Sequence, residues 1–201
     1  MAGRRGRPPP RTAPAEAARG ESRLRNIELK ARYADLPAAR RILGEMGIAL
    51  AEVQNQLDTY YVQAGARLKV RQIEGKPAEL IEYRRPDAAV SRACDYTVVR
   101  LDEPRPAMEQ LAATHGVRGF VKKRREIYLW HNIRIQLDQV DGLGTFIEFE
   151  AVMEDSAGEE LAHARIDRLC RRLNIRPADH VPQSYIDLIE MHPPRSASHR
   201  P

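Results

Sequence analysis

The sequence lacks the features that would place the chain in a membrane or at a zinc or thiol centre. No apolar run approaches the roughly 20 residues that a membrane-spanning helix requires, and no secretory signal is recognisable. The two cysteines, Cys94 and Cys170, stand in neither a metal-binding nor a redox spacing, and the six histidines show no paired spacing for zinc. Such cysteine usage is typical of a reducing compartment. We therefore expect a cytoplasmic protein with no membrane partner.

A phosphate-binding loop is also missing. The glycine-rich stretch at residues 141–144, Asp-Gly-Leu-Gly, has no Gly-Lys-Ser/Thr after it. Two strand-like runs flank this stretch, so it is interpreted as a hairpin turn.

Acidic residues are scarce in the first 25 positions, where seven arginines face only Glu16 and Glu21. This segment also contains Pro8-Pro9-Pro10 and many small residues, a composition typical of disorder. Its charge of +5 equals the formal charge of the whole chain, so the rest of the sequence is neutral. A nucleic-acid-binding domain carries its excess positive charge on the folded surface. We therefore expect residues 1–25 to form a disordered tail, and nucleic acid to bind at most weakly through it.

The remainder of the sequence alternates between strand-like and helix-like segments. Strands are predicted over residues 27–33, 51–61, 67–72, 79–85, 96–101, 121–130, 133–140 and 145–153. Helices are predicted over residues 36–46, 106–114, 159–173 and 183–190. Asp35 is the expected N-cap of the first helix and Gly47 its C-terminal stop, while Ser156 and Glu159 have capping-box spacing. Without regular βαβ alternation, these elements indicate one antiparallel α+β domain, residues 26–190, followed by a disordered tail, residues 191–201.

Charged residues recur at every second position of the predicted strands. In Glu28-Leu29-Lys30, as in residues 148–150, the charges share one face of the strand and the apolar residue points to the other. On a single strand, this pattern is typical of a solvated outer face over an ordinary core. Here the same kind of face recurs in six strands, and the helices need an apolar surface to cover. We therefore predict that the sheet curls into a barrel whose charged faces line a hydrated interior.

The predicted interior carries more cations than carboxylates. The cations are Lys30, Arg67, Lys69, Arg71, Arg84, Lys123, Arg125 and Arg134. The carboxylates are Glu28, Glu82, Asp138, Glu148 and Glu150. Because an unpaired buried charge is costly, such a set is stable only where the charges compensate one another and stay hydrated. The positive excess fits a triphosphate, and the carboxylates fit Mg²⁺ or Mn²⁺.

Six motifs, in order along the chain, resemble those of a known family. They are NIELKAR from Asn26, QLDTYY from Gln56, RLKVR from Arg67, LIEYRRPD from Leu80, VKKRREIY from Val121, and LD from Leu137 followed by LGTFIEFE. Together they resemble the CYTH domain, the triphosphate tunnel metalloenzyme family named after class IV adenylyl cyclase and thiamine triphosphatase. The resemblance extends from about residue 25 to residue 190. It implies an eight-stranded antiparallel β-barrel with flanking helices that performs metal-dependent chemistry on triphosphates.

The resemblance also implies roles for individual residues. Metal ligands would be Glu28, Glu148, Glu150 and Asp138. Triphosphate-binding residues would be Lys30, Arg67, Lys69, Arg71, Arg84, Lys123, Arg125 and Arg134. Catalytic roles would fall to Glu28, Lys30, Arg125 and Asp138. One departure is Asn26, which stands where the family has a first glutamate. An amide oxygen can still ligate a hard cation, but one negative charge is lost, so the sequence leaves open whether one or two metal ions bind.

Strand alternation decides several neighbouring positions. Arg84 and Arg85 point to opposite faces, and we expect Arg84 to face the interior. Lys122 and Arg124 should face outward. Asp58 is interpreted either as a supporting or turn residue or as a catalytic group.

Three functions are compatible with such an interior. The first is a class IV-type adenylyl cyclase, in which the ribose 3′-hydroxyl of ATP attacks the α-phosphate and pyrophosphate leaves. The second is a triphosphatase acting on inorganic triphosphate, thiamine triphosphate or a nucleotide. The third is a non-catalytic polyphosphate-binding module, although pure anion binding does not require Glu148 and Glu150. We expect a small-molecule triphosphate as the partner and allow for a homodimer.

Overall fold

The computed structural model describes residues 22–84, 92–153 and 158–191, without the side chains of residues 22–25, 84, 92, 93 and 95. The strands are β1 (Ser22–Arg32), β2 (Leu50–Tyr61), β3 (Arg67–Ile73), β4 (Ala78–Arg84), β5 (Arg92–Leu101), β6 (Val117–Trp130), β7 (Ile133–Val140) and β8 (Gly144–Met153). The helices are α1 (Leu36–Glu45), α2 (Pro104–His115), α3 (Glu159–Arg172) and α4 (Tyr185–Met191), with a 3₁₀ turn at Pro177–Asp179. Within these ranges, no helix is long and apolar enough to cross a membrane.

The eight strands form a closed antiparallel barrel in the order β1-β5-β4-β3-β2-β6-β7-β8. The barrel closes between β1 and β8, where Glu28 lies opposite Glu150 and Lys30 lies opposite Glu148. Because side chains alternate across a strand, these four charged residues lie on the same face of the sheet. The predicted fold class, an α+β protein built on an eight-stranded antiparallel barrel, is confirmed.

Helices α1 and α3 cover the outer face of β1, β7 and β8. The apolar residues between the charged ones point outward there, so that Leu29 and Phe149 pack with Leu43 of α1 and with Ile166 and Leu169 of α3 in one buried cluster. Burying each such side chain stabilises the fold by about 1.5–3 kcal/mol. The apolar half of each alternating strand therefore holds the helices, and the charged half remains for the interior.

Local sequence signals fix the ends of α1. The Asp35 carboxylate accepts a hydrogen bond from the backbone N–H of Ala38 at 2.9 Å, which satisfies a donor that the first helical turn leaves open. After the helix, Gly47 adopts a left-handed φ of +74°, which disfavours residues with a Cβ. Both predicted boundaries are confirmed. The predicted partner of Glu159, Ser156, lies outside the described residues.

Helix α4 lies at one end of the barrel. The backbone N–H of Val181 donates to the carbonyl of Lys30, which ties the segment before α4 to the end of β1. Tyr185 and Ile186 then pack with Val121 of β6 and with other apolar residues at the ends of β7 and β8. This helix therefore forms a wall at the end of the barrel where β1 finishes.

The elements extend beyond several predicted boundaries. Strand β1 begins at Ser22 instead of residue 27, β5 begins at Arg92, β6 begins at Val117, and α2 begins at Pro104. Cross-strand pairing explains the longer strands, since Ser22 pairs with Val98 and Tyr61 pairs with Val117. Pairing partners extend a strand into residues whose own pattern does not favour it. Of the predicted tails, 1–25 and 191–201, residues 22–25 belong to β1 and Met191 to α4. Residues 1–21 and 192–201 lie outside the described residues, so the rest of the two tails stays a prediction.

The prediction for the faces of β4 is wrong. Ile81 and Tyr83 line the interior, whereas Leu80 packs with α2 on the outer face. Glu82 shares the face of Leu80, and it accepts a hydrogen bond from Gln63 in the β2–β3 connection. The apolar surface of α2 selects Leu80 for the outer layer, and alternation then turns Glu82 away from the cavity. Arg84 is two residues after Glu82, so alternation places it on the same outer face, and its side chain lies outside the described residues.

Candidate active site

A cavity of about 120 Å³ lies inside the barrel and is lined by charged side chains from five strands. The cations at its wall are Lys30, Lys69, Arg71, Lys123 and Arg125. The carboxylates at its wall are Glu28, Asp58, Glu148 and Glu150. All of these except Asp58 are among the site residues that the sequence predicted.

One side of the cavity is a cationic cluster formed by Lys69, Arg71 and Lys123 around Asp58. The guanidinium of Arg71 donates to both Asp58 oxygens, through Nε at 2.9 Å and Nη2 at 3.1 Å. The amino groups of Lys69 and Lys123 donate to Asp58 Oδ2 at 2.9 Å and 2.8 Å. Asp58 is fully buried, so its charge is offset by these cations rather than by water.

Burial and mutual repulsion shift the protonation equilibria of the cationic cluster. Burial would raise the pKa of Asp58, but the charges of Arg71, Lys123 and Lys69 outweigh it and hold the pKa well below its ordinary value. Burial and the neighbouring Arg71 charge lower the pKa of Lys69 to about 7, against the opposing effect of Asp58. Burial likewise lowers the pKa of Lys123. The cluster thus consists of a firmly ionised carboxylate and amines whose charge is costly to maintain.

The opposite side is a carboxylate cluster formed by Glu28, Glu148 and Glu150. Burial raises the pKa of Glu150, and the charges of Glu148 and Glu28 raise it further while Arg125 opposes them. Glu148 forms ion pairs with Lys30 at 3.2 Å and with Arg125 at 2.7 Å. The three carboxylates therefore repel one another, and the neighbouring cations offset only part of that repulsion.

Arg125 at the cavity wall forms a buried pair with Asp138, which lies behind it. Arg125 donates to Asp138 through Nε at 2.7 Å and through Nη2 at 2.5 Å, and Nη2 also reaches Glu148 at 2.7 Å. Tyr185 of α4 donates to the same carboxylate at 2.8 Å. Both Asp138 oxygens are thus engaged within the protein. Asp138 lies where it orients Arg125, while its predicted metal-binding and catalytic roles stay predictions.

The charges are ordered along the axis of the barrel. Near α4, the Lys30 amino group donates to the carbonyl of Gln183 at 3.1 Å and lies 4.0 Å from the centre of the Tyr185 ring. Lys123 also faces this ring, at 5.7 Å. Glu28 is two residues earlier on β1, farther from α4, and it pairs in register with Glu150. The end of the cavity beside α4 is therefore cationic, and two of the three carboxylates lie beyond it.

Two predicted phosphate-binding residues lie elsewhere. Arg67 at the start of β3 donates to Asp187 of α4 at 2.8 Å. Arg134 is exposed and lines a separate depression at the β6–β7 turn, although it pairs in register with Glu150. The structure therefore brings Lys30, Lys69, Arg71, Lys123 and Arg125 together at the cavity, and places Arg67 and Arg134 outside its wall.

Several cavity residues have no charged pattern that would reveal them in the sequence. Aromatic side chains line the wall at Tyr60, Tyr83, Tyr96 and Tyr185. Tyr60 belongs to a quoted motif, but Tyr185 comes from the last described helix and reaches the cavity only because α4 folds back onto the barrel. Burial, together with Asp138 and Glu148, raises the pKa of Tyr185 well above its ordinary value, so this hydroxyl acts as a donor. Ser184, which precedes it, also lines the cavity.

The donor set of the carboxylate cluster fits a hard divalent cation. Within the described ranges, no three acidic, cysteine or histidine groups come together closely enough to ligate one ion as the side chains are placed. Yet three carboxylates share the wall, and their mutual repulsion would be relieved by a cation. Gln136, opposite Glu148 in register, adds a buried Oε1 without a hydrogen-bond partner among the described residues. Oxygen ligands of this kind suit Mg²⁺ or Mn²⁺.

A family model for the CYTH domain matches residues 24–185. The chain belongs to the CYTH domain family. Members of this triphosphate tunnel family bind triphosphate substrates and generally use divalent metals. The matched range contains every residue of the cationic and carboxylate clusters.

Three proteins are similar to this chain in sequence or in fold. The "Putative adenylate cyclase MJ0240" of Methanocaldococcus jannaschii is 23% identical over 172 residues, which cover 81% of this chain and 97% of the relative. The structure of the PH1012 protein of Pyrococcus horikoshii superposes with a TM-score of 0.72 at 25% identity, covering 81% of this chain and 98% of that one. The Hippeastrum protein HpAC1, described as a putative adenylyl cyclase with a dominant triphosphatase activity, has a TM-score of 0.59 at 15% identity, covering 84% and 95%. The fold is therefore common to proteins with different named activities.

Proposed function

We propose that this CYTH domain is a divalent-metal-dependent adenylyl cyclase of the class IV type, which converts ATP to cyclic AMP and pyrophosphate. The order of charges along the cavity supports this proposal best. With its terminal phosphate in the cationic cluster beside α4, a triphosphate chain extends toward the carboxylates. Its α-phosphate then lies nearest Glu28 and Glu150, where a metal would bind.

Different residues of the cavity bind different parts of the triphosphate. Lys69, Arg71 and Lys123 bind the terminal phosphates, whose oxygens match ammonium and guanidinium donors. Lys30 and Arg125, which both pair with Glu148, stabilise the negative charge that develops on the departing pyrophosphate. Asp138 and Tyr185 fix the Arg125 guanidinium in this position.

The carboxylate cluster would hold the metal through Glu28, Glu148 and Glu150, with Gln136 as a neutral neighbour. When bound, such an ion supplies Lewis-acid polarisation of the α-phosphate and lowers the pKa of the attacking hydroxyl. The side chains of Lys30 and Arg125 are buried in the barrel, where the lower effective dielectric strengthens each of these electrostatic contacts.

A triphosphatase is the second candidate. The same two clusters could orient water toward a terminal phosphate if the chain of phosphates were displaced by one position along the cavity. The triphosphatase activity named for the Hippeastrum protein favours this alternative. Inorganic triphosphate would then be a sufficient substrate, because no contact to a nucleoside is needed.

A product assay separates these functions. The purified protein is incubated with Mg²⁺ or Mn²⁺ and with either ATP or tripolyphosphate, and the products are resolved by chromatography. Cyclic AMP with pyrophosphate is the expected result. Orthophosphate alone would replace the cyclase with the triphosphatase. Binding of tripolyphosphate without turnover of either compound would identify a polyphosphate-binding module.

A further inference from the structure

The carboxylate of Asp58 has no task in the proposed chemistry, although it lies at the centre of the cationic cluster. It is fully buried in β2 and accepts hydrogen bonds from Lys69, Arg71 and Lys123. A bidentate guanidinium and two amino groups are also the donors that bind a phosphoryl group. Asp58 thus serves as an internal counter-ion at the place where we locate the terminal phosphate.

The three cations come from strands on both sides of β2. Arg71 lies opposite Asp58 in the pairing of β2 with β3, and Lys69 precedes it on the same face. Lys123 reaches Asp58 from β6, where it pairs with Gln56. Long side chains from separate strands have many rotamers, and ordering them costs conformational entropy. A shared carboxylate orders all three before the substrate arrives.

We propose that Asp58 is a positioning residue that holds the side chains of Lys69, Arg71 and Lys123 aimed at one point, so that the terminal phosphate binds a preformed site. The inference rests on the proposed function only in taking a triphosphate as the ligand. Without Asp58, three like charges in one buried pocket repel one another. They then turn away, or an amine releases its proton.

Burial and the neighbouring cations lower the pKa of both Lys69 and Lys123, and Asp58 opposes this effect. The charged or titratable groups that face Lys69 are Asp58 and Tyr60 of β2, Arg71 of β3, Tyr83 of β4 and Lys123 of β6. Those that face Lys123 are Asp58, Arg71, Arg125, Asp138 and Tyr185. Burial and Arg71 lower the pKa of Lys69 to about 7, and Asp58 is the acidic group that opposes this shift. Its removal moves the loss of the Lys69 charge to lower pH.

The test compares wild type with Asp58→Asn by calorimetric titration with inorganic tripolyphosphate, without metal, across pH 6–9. We expect the affinity of the variant at pH 8 to fall by at least about tenfold, and its pH midpoint to move down by about one pH unit. The matched control is Asp141→Asn, which makes the same change in net charge at an exposed carboxylate. Its affinity should stay within about twofold of wild type.

A purely electrostatic role for Asp58 predicts the opposite sign. Asp58→Asn raises the formal charge of the cluster from +2 to +3, because three cations then lack their one carboxylate. Tighter binding of tripolyphosphate with an unmoved pH profile would overturn the inference.

Two further measurements keep the test decisive if Asp58→Asn does not fold. Lys69→Met combined with Asp58→Asn restores the cluster charge of wild type, since one cation leaves with the carboxylate. Positioning predicts that this double variant binds tripolyphosphate more weakly than Lys69→Met alone, whereas charge counting predicts tighter binding.

In ¹³Cε-lysine spectra of the unliganded protein, the Lys123 signal should titrate at lower pH in the double variant than in Lys69→Met. A Lys123 signal that titrates at the same pH in both variants contradicts the inference, whether or not wild type binds tripolyphosphate. Failure of wild type to bind tripolyphosphate would instead overturn the proposed function.

Discussion

The two clusters of the cavity solve the problem of buried charge in opposite ways. In the cationic cluster, three cations share one fully buried carboxylate, and each of them donates to it directly. In the carboxylate cluster, three acids share a wall, and Glu150 is held at a raised pKa by burial and by its acidic neighbours. In the first cluster, every cation has a hydrogen-bond acceptor in Asp58, and the cluster retains a net positive charge. In the second, Lys30 and Arg125 pair with Glu148 and offset only part of the repulsion among the three acids, and a divalent cation would relieve the rest. We therefore assign phosphate to the first cluster and metal to the second.

Arg125 joins the two clusters, and its removal should have the largest effect. Arg125→Met leaves Asp138 buried without its guanidinium partner, which we expect to lower the free energy of unfolding by about 3–5 kcal/mol. Urea denaturation measures this loss. The control, Arg124→Met, removes a neighbouring cation that is about half exposed and should cost less than about 1 kcal/mol. Equal losses in the two variants would show that Asp138 does not depend on Arg125.

Glu148 tests the carboxylate cluster by itself. Glu148→Gln keeps the shape of the side chain and removes the charge, so we expect turnover to fall by at least about a hundredfold and Mn²⁺ affinity to fall with it. Initial rates and calorimetry measure the two effects. Glu160→Gln, on the exposed side of α3, serves as the control. Turnover close to wild type in Glu148→Gln would contradict its role as a metal ligand.

The pH dependence tests the cationic cluster. The pKa of Lys69 is about 7 in the folded protein and 10.5 ordinarily, so between these values the unfolded chain retains a proton that the folded protein has lost. The free energy of unfolding should therefore rise with pH across this window, while triphosphate affinity falls because a cation is lost. In Lys69→Met, neither the free energy of unfolding nor the triphosphate affinity should change with pH through this group. Urea denaturation and calorimetry on wild type and variant therefore measure the contribution of Lys69 as the difference between them. A flat difference from pH 7 to pH 10.5 would refute the lowered pKa.

Lys122 should show the smallest effect and marks the limit of the cationic cluster. It is adjacent to Lys123 but points outward, 3.9 Å from the exposed Asp141. Lys122→Gln should change stability by less than about 0.5 kcal/mol and leave tripolyphosphate affinity within about twofold. Calorimetry on Lys122→Gln and Lys123→Gln in parallel gives the contrast. A comparable loss of affinity in both would mean that bulk charge, not the faces of β6, governs binding.

Strand alternation allowed much of the barrel interior to be predicted. Glu28, Lys69 and Glu148 face the cavity as expected, because a period of two fixes the face of every side chain once one is placed. The same reasoning failed on β4, where Leu80 and Ile81 are both apolar and the pattern does not say which one α2 will cover. The outcome there depends on a helix that follows later in the chain.

The partners of Asp58 could not be predicted, for a related reason. Its own strand pattern gives its face but not its partners, which lie 11, 13 and 65 positions away in the sequence. Tyr185 is a similar case, since it meets Asp138 across 47 positions. Such contacts depend on strand register and helix docking, which local periodicity does not encode.

By itself, the sequence determined which face of most strands is charged, and hence that charged side chains line the barrel interior, because side-chain alternation is a local property of extended backbone. Only the tertiary structure decided which of those charges meet. Pairing of β2 with β3 and β6 gathered three cations on Asp58, and closure of β1 on β8 brought Glu28 beside Glu150. Charges on different strands become neighbours only through long-range pairing, so the division of the cavity into two clusters is a property of the folded barrel.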